Sequence, residues 1–251
     1  MWYKINKIYV WTNLVRPKWK PTSSTIAYYE LNWNWNDTKN NYWVTTYTTT
    51  NYNSTWYVWA WNPTYTTTRN WKKCAYFDGT RLLQLPSLPI PSNTITLSIW
   101  IKLNQNINSV TYFFQLREDE SSTNRNSTAF FFATLNWRIY PLWISTTQST
   151  WQTWQAAHET NWITGTLGSW YNLVATFNAG TLKFYVNWSL VDTGTSDIYL
   201  RNNFSTPSYI WWKRNRLYPE LVYNNCYIQD IIYENKVWTA QEVLDYYNLT
   251  K

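Results

Sequence analysis

Short runs of β-branched and aromatic residues recur along the whole chain, and their rhythm constrains the fold more than any other feature. TIAYYEL, CAYFDG, TITLSIWIKL, SVTYFFQL, TAFFFATL, WYNLVATF, TLKFYV and CYIQDIIYE are set apart by Asn-, Thr- and Ser-rich stretches. Spacings of roughly 8 to 15 residues are those of an antiparallel sandwich or barrel. Helix is nearly absent. The exception is TAQEVLDYYN at 239–248, where Thr239 as N-cap and Glu242 three residues later make a capping box ahead of Val243, Leu244 and Tyr247. The expectation is an all-β protein: two packed antiparallel sheets with a short C-terminal helix. Trp100, Phe114, Phe131, Val174, Phe177, Phe184, Val186 and Ile231 should fill the core between the sheets, because they occupy alternating apolar positions of the strongest runs.

What lies between the runs is unusual. TLKFYVNWSLVDT (181–193) sets two strand-like runs around a two-residue centre. Asn-Gly is the strongest hairpin signal at such a centre, because a type I′ turn needs positive φ at both positions. Here the pair is Asn187-Trp188. Six of the 21 tryptophans directly follow asparagine, namely Trp33, Trp35, Trp71, Trp137, Trp162 and Trp188, yet no Asn-Gly pair exists and the chain holds 5 glycines. Glycine is thus at about 2%, against an average near 7%. Trp100 in LSIWIKL and Trp170 in GSWYNLVATF sit inside strand-like runs, where a large aromatic belongs.

This distribution reads as glycine codons translated as tryptophan. Some bacterial lineages and their viruses read UGA as glycine, and a translation under the code in which UGA means tryptophan would write the pattern seen here. Keeping Trp19, Trp100, Trp170 and Trp238 and converting the rest would bring glycine to about 9% of the chain. A tryptophan-rich sugar-binding surface is the competing reading, but it does not require tryptophan in the second place of turn after turn. The six Asn-linked tryptophans are therefore expected in turns, little buried and at positive φ, whereas Trp100 and Trp170 should be buried in strands.

Length and composition narrow the function. At 251 residues, with 45% hydrophobic and 14% charged, the chain suits one large globular domain and excludes disordered, coiled-coil and collagen-like classes. The formal charge is +7, yet the basic residues are scattered apart from Lys213, Arg214 and Arg216, so no stripe suited to a nucleic acid forms. Cys74 and Cys226 lack CxxC spacing, which excludes a thiolate zinc site and leaves buried thiols or one bridge. No run of 18 apolar residues exists, and the N-terminal stretch lacks a leader pattern, so neither membrane insertion nor signal-directed secretion is expected. Residues 1–26 end in RPKWKPTSST, the composition of a linker, which leaves 27–251 as the domain.

No catalytic residue is assigned. A sandwich glucanase, the remaining enzymatic alternative, needs two carboxylates on alternate residues of one strand. Among 14 acidic residues only Glu118, Asp119 and Glu120 cluster, and they lie in the polar stretch LREDESSTNRN. His158, the single histidine, has no nucleophile motif beside it.

The order of motifs resembles the laminin-G-like, concanavalin A-like lectin/glucanase jelly-roll family, common in bacterial surface and viral proteins. YELNWNWND (29–37) matches its opening once Trp33 and Trp35 are read as glycine. AYFDG (75–79), SIWIK (98–102), WYNLVATF (170–177), LKFYVNWSLV (182–191) and IQDIIYENKVWTAQEV (228–243) follow in the family's order. The resemblance implies a concanavalin A-like antiparallel β-sandwich that binds glycans or cell-surface polysaccharides through a concave sheet or loop rim. Tyr140, Trp143, Gln148 and Gln152 are the candidate sugar contacts. It also implies a calcium ion tying the first strand to the last; oxygen-rich Asn36 and Asp37 near the start and Asp230 near the end are its candidate ligands. The family often has a second acidic residue beside Asp230, which this chain lacks, and Asp78 in Phe-Asp-Gly suits a turn better than a metal. The leading segment KINKIYVWTNLVRPK resembles those that anchor accessory domains to other virion or surface proteins. The expected role is a non-enzymatic, extracellular glycan-binding module on a virion or cell surface, with a purely structural virion decoration protein as the alternative.

Overall fold

The structure is a computed structural model that describes residues 20–31, 64–69, 72–78, 83–85, 88, 94–105, 111–117, 128–135, 138–145, 155–159, 163–195, 208–210, 213–214, 219–220 and 225–251. The chain lays down β1 (Thr25–Tyr29), β2 (Thr64–Arg69), β3 (Lys72–Phe77), β4 (Leu83–Leu85), β5 (Thr94–Leu103), β6 (Thr111–Arg117), β7 (Thr128–Leu135), β8 (Arg138–Ser145) and β9 (Gln155–Glu159). Then come β10 (Ile163–Thr164), β11 (Trp170–Asn178), β12 (Thr181–Val186), β13 (Ser189–Thr195), β14 (Ser208–Ile210), β15 (Lys213–Arg214), β16 (Pro219–Glu220), β17 (Cys226–Glu234) and helix α1 (Ala240–Thr250). Pairing is antiparallel throughout the described ladders. The first sheet runs β13-β12-β11-β5-β17-β3-β2, with β1 also beside β17. The second runs β10-β8-β7-β6-β14-β4, with β9 beside β8.

The sheets meet across one core. Leu173, Ala175 and Phe177 of β11, Phe184 and Val186 of β12, and Ile228 and Ile231 of β17 pack with Phe113, Phe114, Phe132 and Ile139 of the second sheet. Phe114, Phe177, Phe184, Val186 and Ile231 thus lie where the sequence places them. Trp100 and Val174 correct the expectation: both are buried, but on the opposite face of the first sheet, with Tyr28, Tyr185, Ile232, Trp238, Val243 and Tyr246. The cause is that α1 covers the outer face of this sheet. A sheet covered on both sides reads as a continuous apolar run, as β5 and β11 do, so alternation no longer identifies the inner face. Phe131 belongs to β7, but its side chain lies outside the described residues.

The cap on α1 forms as the sequence implies. Thr239 Oγ1 accepts the Glu242 N–H at 3.2 Å, and Glu242 Oε2 accepts the Thr239 N–H at 2.8 Å. β1 opens at Thr25, two residues before the expected boundary, and pairs at once with β17. Cys74 and Cys226 are both buried free thiols.

The turns bear on the tryptophans. Val186 pairs with Ser189, so Asn187 and Trp188 alone connect β12 to β13; their φ angles are +48° and +73°. Both central residues are left-handed, as a type I′ turn demands, and Trp188 is 48% exposed. The neighbouring β11–β12 turn uses Ala179 and Gly180 in the same way, with φ of +42° and +94°. Two further ladders close around two-residue gaps. Arg69 pairs with Lys72 around Asn70-Trp71, and Leu135 pairs with Arg138 around Asn136-Trp137. Trp33, Trp35, Trp71, Trp137 and Trp162 themselves lie outside the described residues. Trp100 is buried in β5 as expected, whereas Trp170, in β11, is only half-buried.

Candidate binding face

The outer face of the first sheet is divided by the end of α1. The helix lays Val243 and Tyr246 over Val174, Tyr185 and Ile232, and its last turn lands on Trp100. There Tyr247 stacks on the indole at 5.8 Å between centroids, and Trp100 Nε1 donates to Thr250 Oγ1 at 3.2 Å.

Against Trp100 lies Arg69, the last residue of β2, its guanidinium 4.0 Å from the ring centre. Arg69 is buried and its donors are directed: Nε to Gln229 Oε1 at 2.8 Å, Nη1 to the Thr250 carbonyl at 2.5 Å, and Nη2 to Asp230 Oδ2 at 2.6 Å. The other Asp230 oxygen accepts from the Tyr28 hydroxyl at 3.0 Å. Burial, reinforced by the Asp230 charge, raises the Tyr28 pKa far above the ordinary phenol value, so this hydroxyl stays protonated and donates. Asp230 can reach these partners because it has φ +49° in a bulge between Gln229 and Ile232, where β17 changes partner from β3 to β1. A bulge re-aims the side chain it carries.

This arrangement answers the metal expectation for one residue. Asp230 does link the first strand to the last, but through Tyr28 and Arg69. With both carboxylate oxygens engaged and a guanidinium at the place a cation would take, Asp230 does not fit a calcium site. Asn36 and Asp37 lie outside the described residues. Among the described residues no group of three or more His, Cys, Asp or Glu comes together.

Past Trp100, two residues further along β5, one register row crosses four strands: Trp170 of β11 opposite Lys102 of β5, Lys102 opposite Tyr227 of β17, and Tyr227 opposite Tyr76 of β3. Tyr76 and Tyr227 stack with centroids 4.8 Å apart, Trp170 leans on Tyr227 at 6.4 Å, and the Lys102 ammonium stands 5.2 Å from the Tyr227 ring centre. All four side chains are half-buried. Sequence reasoning did not single out this row, whose members come from four distant segments. The nearest signal was Lys102, a charge alternating with Trp100 in SIWIK.

The sugar contacts suggested by the sequence lie elsewhere. Tyr140 and Trp143 belong to β8 of the second sheet, opposite Ala133 and Phe130 of β7, with Trp143 also opposite His158 of β9. Gln148 and Gln152 lie outside the described residues, as do Glu118, Asp119 and Glu120. No helix among the described residues is long and apolar enough to cross a membrane.

Comparison with known proteins adds the following. The profile of the family described as the concanavalin A-like lectin/glucanases superfamily (laminin G type) matches residues 77–243. No curated protein sequence matches. Domain 4 of an extracellular arabinanase from Geobacillus stearothermophilus, solved in complex with arabinotriose, superposes with a TM-score of 0.60 at 18% identity, over 91% of this chain and 98% of that one. The ligand-binding domain of botulinum neurotoxin serotype D, solved with N-acetylneuraminic acid, gives 0.62 at 14% identity, over 90% of this chain. A Trypanosoma rangeli sialidase mutant gives 0.58 at 11% identity over 89% of this chain. This chain spans 50% of the toxin domain and 32% of the sialidase. At these identities the likeness is one of fold.

Proposed function

The chain belongs to the concanavalin A-like lectin/glucanase superfamily, and from that membership we propose that it is a non-enzymatic glycan-binding jelly-roll module presented outside the cell, on a virion or a cell surface. The observation that carries this reading is the superposition over nearly the whole of an arabinanase domain solved holding arabinotriose. The toxin domain solved with a sialic acid supports it. Three of the described carboxylates have structural tasks: Asp230 pairs with Arg69, Glu234 accepts from Thr25 and Trp238, and Glu242 caps α1. The virion setting rests on the leading segment KINKIYVWTNLVRPK, through which the module would join other virion or surface proteins.

The proposal includes glycine at the turn tryptophans of the natural protein, encoded by UGA. The left-handed Asn187-Trp188 turn and the two-residue gaps at Asn70-Trp71 and Asn136-Trp137 support it. UGA at these codons together with a native mass lighter by the corresponding substitutions would establish it; UGG codons would remove it.

A broad glycan array probed with the full-length protein tests the binding function. Selective retention on one glycan class is the expected result. A silent array, with the protein still incorporated into particles, would favour the structural decoration role instead.

A further inference from the structure

The row Trp170–Lys102–Tyr227–Tyr76 has no assigned task, and its chemistry is specific. We infer that it is a binding strip for an acidic oligosaccharide, whose carboxylate pairs with the Lys102 ammonium while neighbouring sugars pack against the edges of Tyr227, Tyr76 and Trp170. This deepens the glycan-binding reading and rests on it.

Three observations carry the inference. Lys102 is half-buried, and no carboxylate among the described residues pairs with it; its described contact is the Tyr227 ring. A ring face offers a cation only about 0.5 to 1 kcal/mol at exposed sites, less than a charge-assisted hydrogen bond to a carboxylate. The second observation is the balance of charge nearby. Arg69 is cancelled by Asp230, so among the described residues of this row and its surroundings Lys102 is the positive charge left to offer. The third is shape. The Tyr76 and Tyr227 ring centres lie 4.8 Å apart and those of Tyr227 and Trp170 6.4 Å apart, so the rings of the row extend over no more than about 11 Å, a length that suits a short run of linked sugars rather than one. Tyr76 and Tyr227 turn their faces toward each other and Arg69 stands 5.6 Å from the Trp170 ring centre, so the row offers a sugar the apolar edges of these rings, and cross-strand pairing holds them in place. Trp170 keeps part of its surface open although it sits in a central strand.

The experiment is calorimetric titration of the full-length protein with tetragalacturonate and, separately, with a neutral galactotetraose, followed in parallel by tryptophan fluorescence. Tetragalacturonate should bind and perturb the emission, and its affinity should fall as salt is raised. Lys102→Met keeps the aliphatic stem and should lose about tenfold in affinity, the cost of one charge-assisted contact. Lys102→Arg should retain most of the binding, and Tyr227→Leu should weaken it without abolishing the salt dependence. Unchanged melting temperatures for the lysine variants separate lost contact from lost fold. Equal binding of tetragalacturonate by Lys102→Met and the parent overturns the inference. So does preference for the neutral sugar, which leaves the broader glycan-binding reading standing. Failure of both sugars together with a silent glycan array removes both.

Discussion

Replacing Trp188 with glycine should stabilise the protein, although it deletes its largest kind of side chain. Trp188 holds φ at +73° in a two-residue turn, and a non-glycine residue in the left-handed region costs roughly 1 to 2 kcal/mol. Against that gain stands any packing lost with the indole. Trp188 is 48% exposed and joins neither apolar cluster among the described residues, so its loss removes little packing. The net expectation is a gain of about 1 kcal/mol, which for a domain of this size raises the melting temperature by about 2 to 4 °C. Calorimetry of W188G beside the parent measures it. Trp100→Gly is the contrasting control: it removes a 3% exposed indole, its stack with Tyr247 and its hydrogen bond to Thr250, and should cost at least about 3 to 5 kcal/mol. Trp71→Gly and Trp137→Gly, whose ladders leave gaps of the same length, should each behave like W188G. A lower melting temperature for W188G would mean that the indole contributes more than its backbone strain costs, and the glycine reading would fail at the one Asn-linked tryptophan whose turn is described.

Arg69→Met should cost about 3 to 5 kcal/mol in urea unfolding, because it leaves Asp230 buried without its counter-charge. The double variant with Asp230→Leu should recover much of that loss, and purely additive losses would refute the coupling. Thr239→Ala should cost about 1 kcal/mol by deleting the helix cap. Burial opposes the Glu242 charge, but hydrogen bonds from Lys236 and the Thr239 N–H outweigh it and hold the pKa below the ordinary 4.5. A depressed folded pKa stabilises above the unfolded value and loses that contribution as pH falls through the folded one; the stability difference between parent and Glu242→Gln should therefore shrink on acidification below pH 4.5. Thermal melts with and without chelator test for a calcium ion, and because Arg69 already serves Asp230, Asp230→Asn should leave any chelator effect unchanged. A calcium ion at 100 times its dissociation constant would add about 2.7 kcal/mol, and a chelator-sensitive melt would show that metal binds.

The features legible from the sequence alone are those decided by neighbours along the chain. Antiparallel strands follow from local apolar runs, the helix from Thr239 and Glu242 three residues apart, and the hairpin at Asn187-Trp188 from a two-residue centre between strand-like runs. Each is set by backbone sterics or hydrogen bonds within a few residues, so the string of letters suffices. The faces were not legible in this way. Whether Trp100 and Val174 turn toward the second sheet or toward α1 depends on where a helix at the far end of the chain docks. Asp230 meets Arg69 across 161 residues of sequence, and a bulge whose unpaired residue is not a glycine gave no local sign that the side chain would be re-aimed there. The row of Trp170, Lys102, Tyr227 and Tyr76 exists only because four strands align in one register. A shift of one residue in any strand would move its member to the opposite face. Register is settled by the packing of the whole sandwich, and that is why the chemistry of this face emerges only in the folded molecule.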